Sequence, residues 1–344
     1  MSTTTLEAVT RGRARRALRR RLVLGVLGGL VVAAYAVNVM FGKTFYPPDD
    51  VFRVMLGETV PGATFTVGTL RLPRATLALL AGSCFGLGGV TFQTMLRNPL
   101  ASPDVIGISS GASAAAAFAI VTLQLSEAAT SAVAIAAGLA VAMVIYLLSF
   151  RDGVAGTRLV LIGIGMAAML ESATSYVLST ASQWDLQEAL RWLTGSLNGT
   201  SWSETVPVAV ALAVLGPVLL GQGRDLFTLQ LGDDLAAALG VRLERTRILL
   251  IVAAVGLIAF ATAACGPIAF VAFLAGPIAA RIVGPGTSLL VPSALIGALL
   301  VLVADFAGQY ALGIRYPVGV VTGVLGAPYL LYLLIRTNRA GGSL

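Results

Sequence analysis

About ten apolar segments, each near the ~20 residues a helix needs to cross a bilayer, follow one another along this chain, and that succession leaves little room for a water-soluble fold. They run 22–41, 72–93, 104–124, 128–149, 157–181, 204–221, 244–264, 266–282, 289–308 and 316–336. Residues 244–282 also read as one long broken element. Only 11% of the residues are charged and 57% are hydrophobic, about half the charge that a soluble domain carries. The expected fold is all-α, a polytopic membrane protein of about ten transmembrane helices.

The net charge of +7 takes its meaning from where the charges fall. Arg11, Arg13, Arg15, Arg16, Arg19, Arg20 and Arg21 precede the first segment, which by the positive-inside rule sets the N-terminus in the cytoplasm. Ten crossings from that start leave only Lys43, Arg53, Arg71, Arg74, Arg191 and Arg315 outside, out of 23 basic residues. The chain then divides into a basic cytoplasmic tail (1–21), a transmembrane domain (22–336) and a short cytoplasmic C-terminal tail (337–344). A signal peptide would also begin basic and turn apolar, but 22–41 exceeds the usual length of such an apolar core.

Several chemistries are excluded or disfavoured by what is missing. There is no histidine, hence no histidine-based metal site or catalytic triad. The single lysine, Lys43, sits outside any glycine-rich loop, whereas a phosphate-binding loop needs its lysine on the phosphates. Paired carboxylates, a nucleophile elbow and a cofactor fingerprint are also lacking, so neither an enzyme nor a resident cofactor or metal is expected. Cys84 and Cys265 fall in or beside apolar segments and read as small packing residues.

The second segment is the most informative. It opens on Arg71 and Arg74 and closes on Gln93, Arg97 and Asn98, after which Pro99 and Pro103 oppose helix continuation. Gly82, Gly86 and Gly89 share one face, where a neighbouring backbone can come close. Arg71-Leu72-Pro73-Arg74, Gly89, Phe92-Gln93, Arg97-Asn98-Pro99-Leu100-Ala101, Pro103 and Gly107 together resemble the signature of the FecCD family of ATP-binding-cassette permeases, importers of ferric siderophores, haem and cobalamin. The resemblance extends through the glycine- and proline-rich C-terminal third as far as Arg336.

That resemblance implies a type II importer permease. It is expected to lie in the bacterial cytoplasmic (inner) membrane with both termini inside. Its partners would be ATPase subunits that use the ATP, an extracytoplasmic substrate-binding protein, and a second permease, identical or related. Residues 221–247 are the most charged internal cytoplasmic stretch, and the loop 222–243 within them holds a short helix between glycine stops. The residues alone allow an amphipathic helix on the membrane surface; the resemblance makes it the coupling element that seats in the ATPase, carried by Gly232, Ala236, Leu239 and Gly240. Arg97, Asn98 and Pro99 would build a cytoplasmic corner against it.

Arg71 and Arg74, at i and i+3, suit interfacial anchors. By resemblance they are docking points for the binding protein, joined by Arg315 because Gln309 stands where relatives often carry a further arginine. In the fifth segment Gly163, Met166, Leu170 and Thr174 form one stripe, with Glu171 beside it. Ordinary helix packing explains such a stripe, and the resemblance makes these five residues, with Thr157 at the inner mouth, pathway candidates. A carboxylate inside a membrane is costly and faces protein or water. This applies to Glu171, read either as a hydrogen-bonded structural acid or as part of a path, and to Asp305, read as structural. Two departures, Gly276-Pro277-Ile278 and Tyr316, leave the cargo unidentified by these residues; by resemblance a ferric siderophore is the first expectation, with cobalamin and haem as alternatives. An ion-coupled carrier acting alone, using Glu171 and Asp305, is the competing class.

Overall fold

A computed structural model of the chain describes residues 3–102, 107–149, 156–284, 286–311 and 313–339, with backbone alone for 3–16, 156, 157, 333, 334 and 336–339. Among the described residues all regular structure is helical. The order is α1 (Thr3–Met40), α2 (Pro48–Met55), a π-helix (Thr64–Arg71), α3 (Leu72–Met95), α4 (Ile108–Val121), α5 (Glu127–Ser149), α6 (Gly156–Ser179) and α7 (Gln183–Leu193). There follow α8 (Trp202–Gly221), α9 (Gly223–Leu229), α10 (Asp233–Ala238), α11 (Leu243–Cys265), α12 (Val271–Val283), α13 (Leu290–Tyr310) and α14 (Val318–Arg339).

Every expected apolar segment is a helix, though not all are full-length. Seven described helices are long and apolar enough to cross a membrane, and three shorter apolar ones are Ile108–Val121, Val271–Val283 and Val318–Tyr332. At a rise of about 1.5 Å per residue, α4 and α12 span only about 20 Å. The basic tail is continuous with the first crossing, because α1 runs unbroken past residue 21.

Burial separates centre from rim. The π-helix with α3 is 78% buried over its most apolar window and α11 is 67% buried, against 17% for α1 and α6. Glycine places α3 at the centre. Gly82 packs on the backbone of Gly297 and Ala298 in α13, Gly86 on Ser293, and Gly89 on Ala272 in α12. A β-carbon at any of the three would run into a carbonyl of the facing helix. Lipid tails give apolar helices no reason to prefer each other, so close van der Waals approach is what holds them, and small residues permit it. Cys84 and Cys265 are free thiols buried in this interior, the packing role expected of them.

Between α11 and α12 the chain leaves helix geometry over residues 266–270, with Gly266 at φ +71° and Phe270 at φ +65°. Backbone of this kind is tolerated at membrane depth only where protein or a cavity meets it. The loop after α7 does so: Ser196 N–H donates to the Cys265 carbonyl at 2.8 Å, and Gly319 N–H donates to Gly195 at 3.0 Å. The break that makes 244–282 read as one interrupted element is thus a built junction.

Candidate functional site

The start of α3 gathers the predicted docking arginines around one cavity of about 720 Å3, lined by Arg71, Arg74 and Arg315 together with Lys43 and Arg191. Five cationic side chains and no carboxylate line it, an arrangement that raises the local positive potential. The three arginines are not equivalent. Arg71 is buried, donates to the carbonyls of Val39 (3.0 Å), Met40 (2.9 Å) and Thr44 (2.7 Å), and lies 5.1 Å from the centre of the Tyr46 ring. It thereby satisfies carbonyls that the end of α1 leaves open. Arg74 grips Asp305 with Nε and Nη2 and donates from Nη1 to Asn198 Oδ1 at 2.7 Å. Gln309 donates to the same aspartate at 2.9 Å. Arg315 is the exposed member.

At the other end of α3, Arg97 adopts φ +53° and turns the chain out of the helix. Asn98 fixes that turn by accepting the Leu100 N–H on its side chain at 2.9 Å. Arg97, Asn98 and Pro99 line a groove with Gln230 and with Gly276 and Pro277 of α12, so the predicted corner touches both the coupling segment and α12. The segment itself is pinned by Asp233, which accepts two hydrogen bonds of 2.8 Å from Arg247 of α11 and has Arg97 at 3.8 Å. Gly232 at φ +103° and Gly240 at φ +88° bound the short helix α10, backbone that other residues seldom adopt. Ala236 is buried, whereas Leu239 is exposed. Leu231 and Leu235, which sequence reasoning did not single out, are exposed with it. Leu235 and Leu239 stand one turn apart at the end of α10, whereas Leu231 lies before the Gly232 break.

Gln93 explains a motif residue the sequence left without a task. Pro277 has no N–H, so the Phe273 carbonyl four residues earlier in α12 loses its helical partner. Gln93 of α3 supplies the missing donor at 2.9 Å while itself buried. Gly276 makes room, because a β-carbon there would strike Gln93 Oε1.

The α6 stripe faces inward. Gly163 is buried and Met166, Leu170 and Thr174 are half-buried, with Gly107 at the start of α4 set against Gly163 and Ala167. Glu171 is exposed on the flank. Ser172, Thr174 and Ser175 donate to backbone carbonyls of α6, so each hydroxyl serves the helix. Glu171 and Thr174 line a cavity of about 950 Å3 with Ser110, Ser113 and the broken-helix residues Pro267 and Phe270. The left-handed Phe270, seated on Gly326 of α14, is a lining residue that only the nearby Gly266-Pro267 pair could have signalled. Thr157's side chain and Pro103 lie outside the described residues.

A glycine-welded bundle with long and half-length apolar helices and a pinned peripheral segment is the architecture of an integral membrane permease. The model of the FecCD transport family matches residues 30–336, and the chain belongs to that family. It is 40% identical over 327 residues to the ferric enterobactin transport system permease protein FepG of Escherichia coli K12, covering 93% of this chain and 98% of the relative. It is 39% identical over 314 residues to the achromobactin transport system permease protein CbrC of Dickeya dadantii, covering 90% of each. Among solved structures it resembles an inward-facing transporter assigned to the metal-chelate ABC type, with a TM-score of 0.82 and 25% identity over 92% of this chain and 99% of the other.

Proposed function

We propose that this chain is the permease subunit of an ATP-driven importer of ferric siderophores, working in the bacterial cytoplasmic membrane with its termini and coupling segment inside. The observation that carries this reading is the set of exposed leucines, Leu231 before α10 and Leu235 and Leu239 at its end, on a segment that Asp233 ties to Arg247 and Arg97. Exposed leucines at the water-facing end of a membrane protein need a partner, and a cleft in a separate ATPase subunit fits them. Gly232 and Gly240 set the angle of the lever, and Ala236 anchors it to the bundle. ATP binds and is hydrolysed in that partner, and this chain holds no cofactor.

Motion of the lever reaches α11 through Arg247 and the end of α3 through Arg97. The groove that Arg97, Asn98 and Pro99 share with Pro277 passes it to α12, which is free to pivot at its proline. At the opposite end, the basin of five cations receives acidic groups of an external binding protein. Arg315 makes contact there, while Arg71 and Arg74 set the basin's shape; Arg71 adds to its field, whereas the charge of Arg74 is balanced by Asp305. A second permease, identical or related, covers the exposed flank of α6, and cargo passes between the two subunits past Glu171, Thr174 and Phe270 without chemical change. The stripe of Gly163, Met166 and Leu170, with Thr157 near the inner mouth, supports that wall from behind.

Two relatives above 35% identity are named for ferric enterobactin and achromobactin transport, which favours a siderophore cargo. The test is uptake of radiolabelled ferric siderophores, haem and cobalamin in a strain lacking the gene. Loss of ferric siderophore uptake, restored by the chain, is expected. Unchanged siderophore uptake with loss of cobalamin or haem uptake would overturn the cargo assignment.

A further inference from the structure

Helix α2 joins the end of α1 to the π-helix, and none of its residues lines the three cavities described above. It is nevertheless a well-ended helix. Pro48 opens it, Asp49 and Asp50 stand in its first turn and Arg53 in its last, where the helix dipole favours each charge. Gly57 at φ +86° stops it.

Its depth follows from what it packs on. Val54 is buried in a cluster with Val39 in the last turn of α1 and with Val60, Ala63 and Val67. It also lies against Gly68 of the π-helix, where a β-carbon would stand 3.3 Å from Val54 Cγ1. The apolar part of α1 starts after Arg19, Arg20 and Arg21 and ends at Met40. From Leu22 to Met40 the helix rises about 28 Å, close to the ~30 Å of a bilayer's hydrocarbon core. With the arginines at the inner boundary, Val39 stands at the outer one, and α2 stands there with it.

At 3.6 residues per turn α2 has three sides and not two. Val51 and Val54 face the cluster. Asp49, Asp50 and Arg53 share a second side, where Arg53 pairs with Glu58 at 2.7 Å. Phe52, Met55 and Leu56 lie between, and they are 61%, 57% and 66% exposed. A helix covering a single core needs an apolar stripe of ~100°. From Val54 round to Leu56 the apolar arc of α2 is about 200°, so the bundle covers only half of it. The link from α1 is exposed in the same way, with the rings of Phe41 and Phe45 4.9 Å apart.

We propose that Phe52, Met55 and Leu56 insert into the outer leaflet, at the boundary of phospholipid headgroups and acyl chains, and make α2 an interfacial anchor for the junction of α1 with the π-helix. The exposed apolar surface of α1 already faces the bilayer, and α2 continues it at headgroup depth. Charge argues against the other occupant of this side. An external binding protein drawn to the cationic basin brings acidic groups, and the charged side of α2 offers Asp49, Asp50 and Glu58 against Arg53 alone. Anionic headgroups gain nothing from that side either, so the anchor works by apolar contact and is indifferent to lipid charge. It rests on the chain crossing a membrane, not on its cargo or its ATPase.

Spin labels on the full-length chain test it. Phe52→Cys, Met55→Cys and Leu56→Cys report on the proposed lipid side, and Asp49→Cys and Glu58→Cys on the charged side; the parent chain, whose Cys84 and Cys265 are buried, is the blank. Each variant is reconstituted in phosphatidylcholine liposomes with and without phosphatidylglycerol. Relaxation by oxygen, which concentrates in lipid, is compared with relaxation by a water-soluble nickel chelate. An oxygen-to-nickel ratio several-fold higher at positions 52, 55 and 56 than at 49 and 58, alike in both liposomes, is expected. Preferential access of nickel to the three positions would show that they face water, and shielding from both reagents would show that a second copy of the chain covers them. Either result would overturn the proposal, as would a lipid signature that depends on phosphatidylglycerol.

Discussion

Arg74 and Asp305 meet in a two-pronged ion pair, with Nε to Oδ2 at 2.8 Å and Nη2 to Oδ1 at 2.7 Å, across 231 residues of sequence. The pair clamps the start of α3 to the end of α13, the helices whose glycines are already in backbone contact. Asp305 is 2% exposed, and a carboxylate stripped of its partner in such a place is strongly destabilising. Arg74→Ala is expected to cost about 3–5 kcal/mol, seen as a lower melting temperature of the purified chain in detergent. Arg74→Lys, which cannot make the two-pronged contact, should fall between. Pairing Arg74→Ala with Asp305→Asn should recover part of the loss by removing the stranded charge.

Gln93 and Gly276 form a second testable unit. Gln93→Ala leaves the Phe273 carbonyl without its donor and is expected to cost about 1–3 kcal/mol. Gly276→Ala drives a methyl into the Gln93 side chain and should cost a similar amount by overpacking. The two substitutions share one cause, so the second should cost much less in the presence of the first. Thermal melting of the two single variants and the double variant measures the coupling, and simple additivity would count against the contact.

Much of this architecture can be read in the sequence because membrane helices announce themselves by length. The spacing of Gly82, Gly86 and Gly89 also gave the packing face of α3 correctly, since a run of small residues has one use there. Side-chain partners were out of reach. Arg71 bonds carbonyls about thirty positions earlier, and no residue type marks a carbonyl as available. The α6 stripe was ambiguous for another reason. In a mostly apolar helix whose polar residues cluster in one turn, periodicity does not say which face meets protein, and Gly163 and Met166 proved to pack inward while Glu171 stands out. Gln93 became intelligible only once Pro277 was placed opposite it.

The Asp233–Arg247 contact separates coupling from stability. Asp233 is 40% exposed on its side chain, and such pairs contribute little once solvent screens them, ~0–1 kcal/mol. Asp233→Ala should therefore leave the melting temperature nearly unchanged. Uptake in whole cells should nevertheless fall several-fold, because α10 loses its tie to α11. Normal uptake by the variant would show that the tie transmits nothing.

The exposed leucines of α10 should behave as a docking surface and not as core. Leu235→Asp and Leu239→Asp alter exposed positions, so both variants are expected to express and melt like the parent. Affinity purification should then show loss of the bound ATPase from both. Gly240→Val, at φ +88° with nothing within 4 Å of its added carbon, should weaken the same association through backbone strain alone.

The central claim is that motion made by a separate nucleotide-driven subunit enters this bundle through α10. It is tested most directly by reconstituting the chain in liposomes with and without its ATPase and binding protein, and following a labelled ferric siderophore into the lumen. Uptake that requires ATP and both partners, and that vanishes with Leu239→Asp, is the predicted result. Concentrative uptake by the chain alone, driven by an ion gradient, would contradict it.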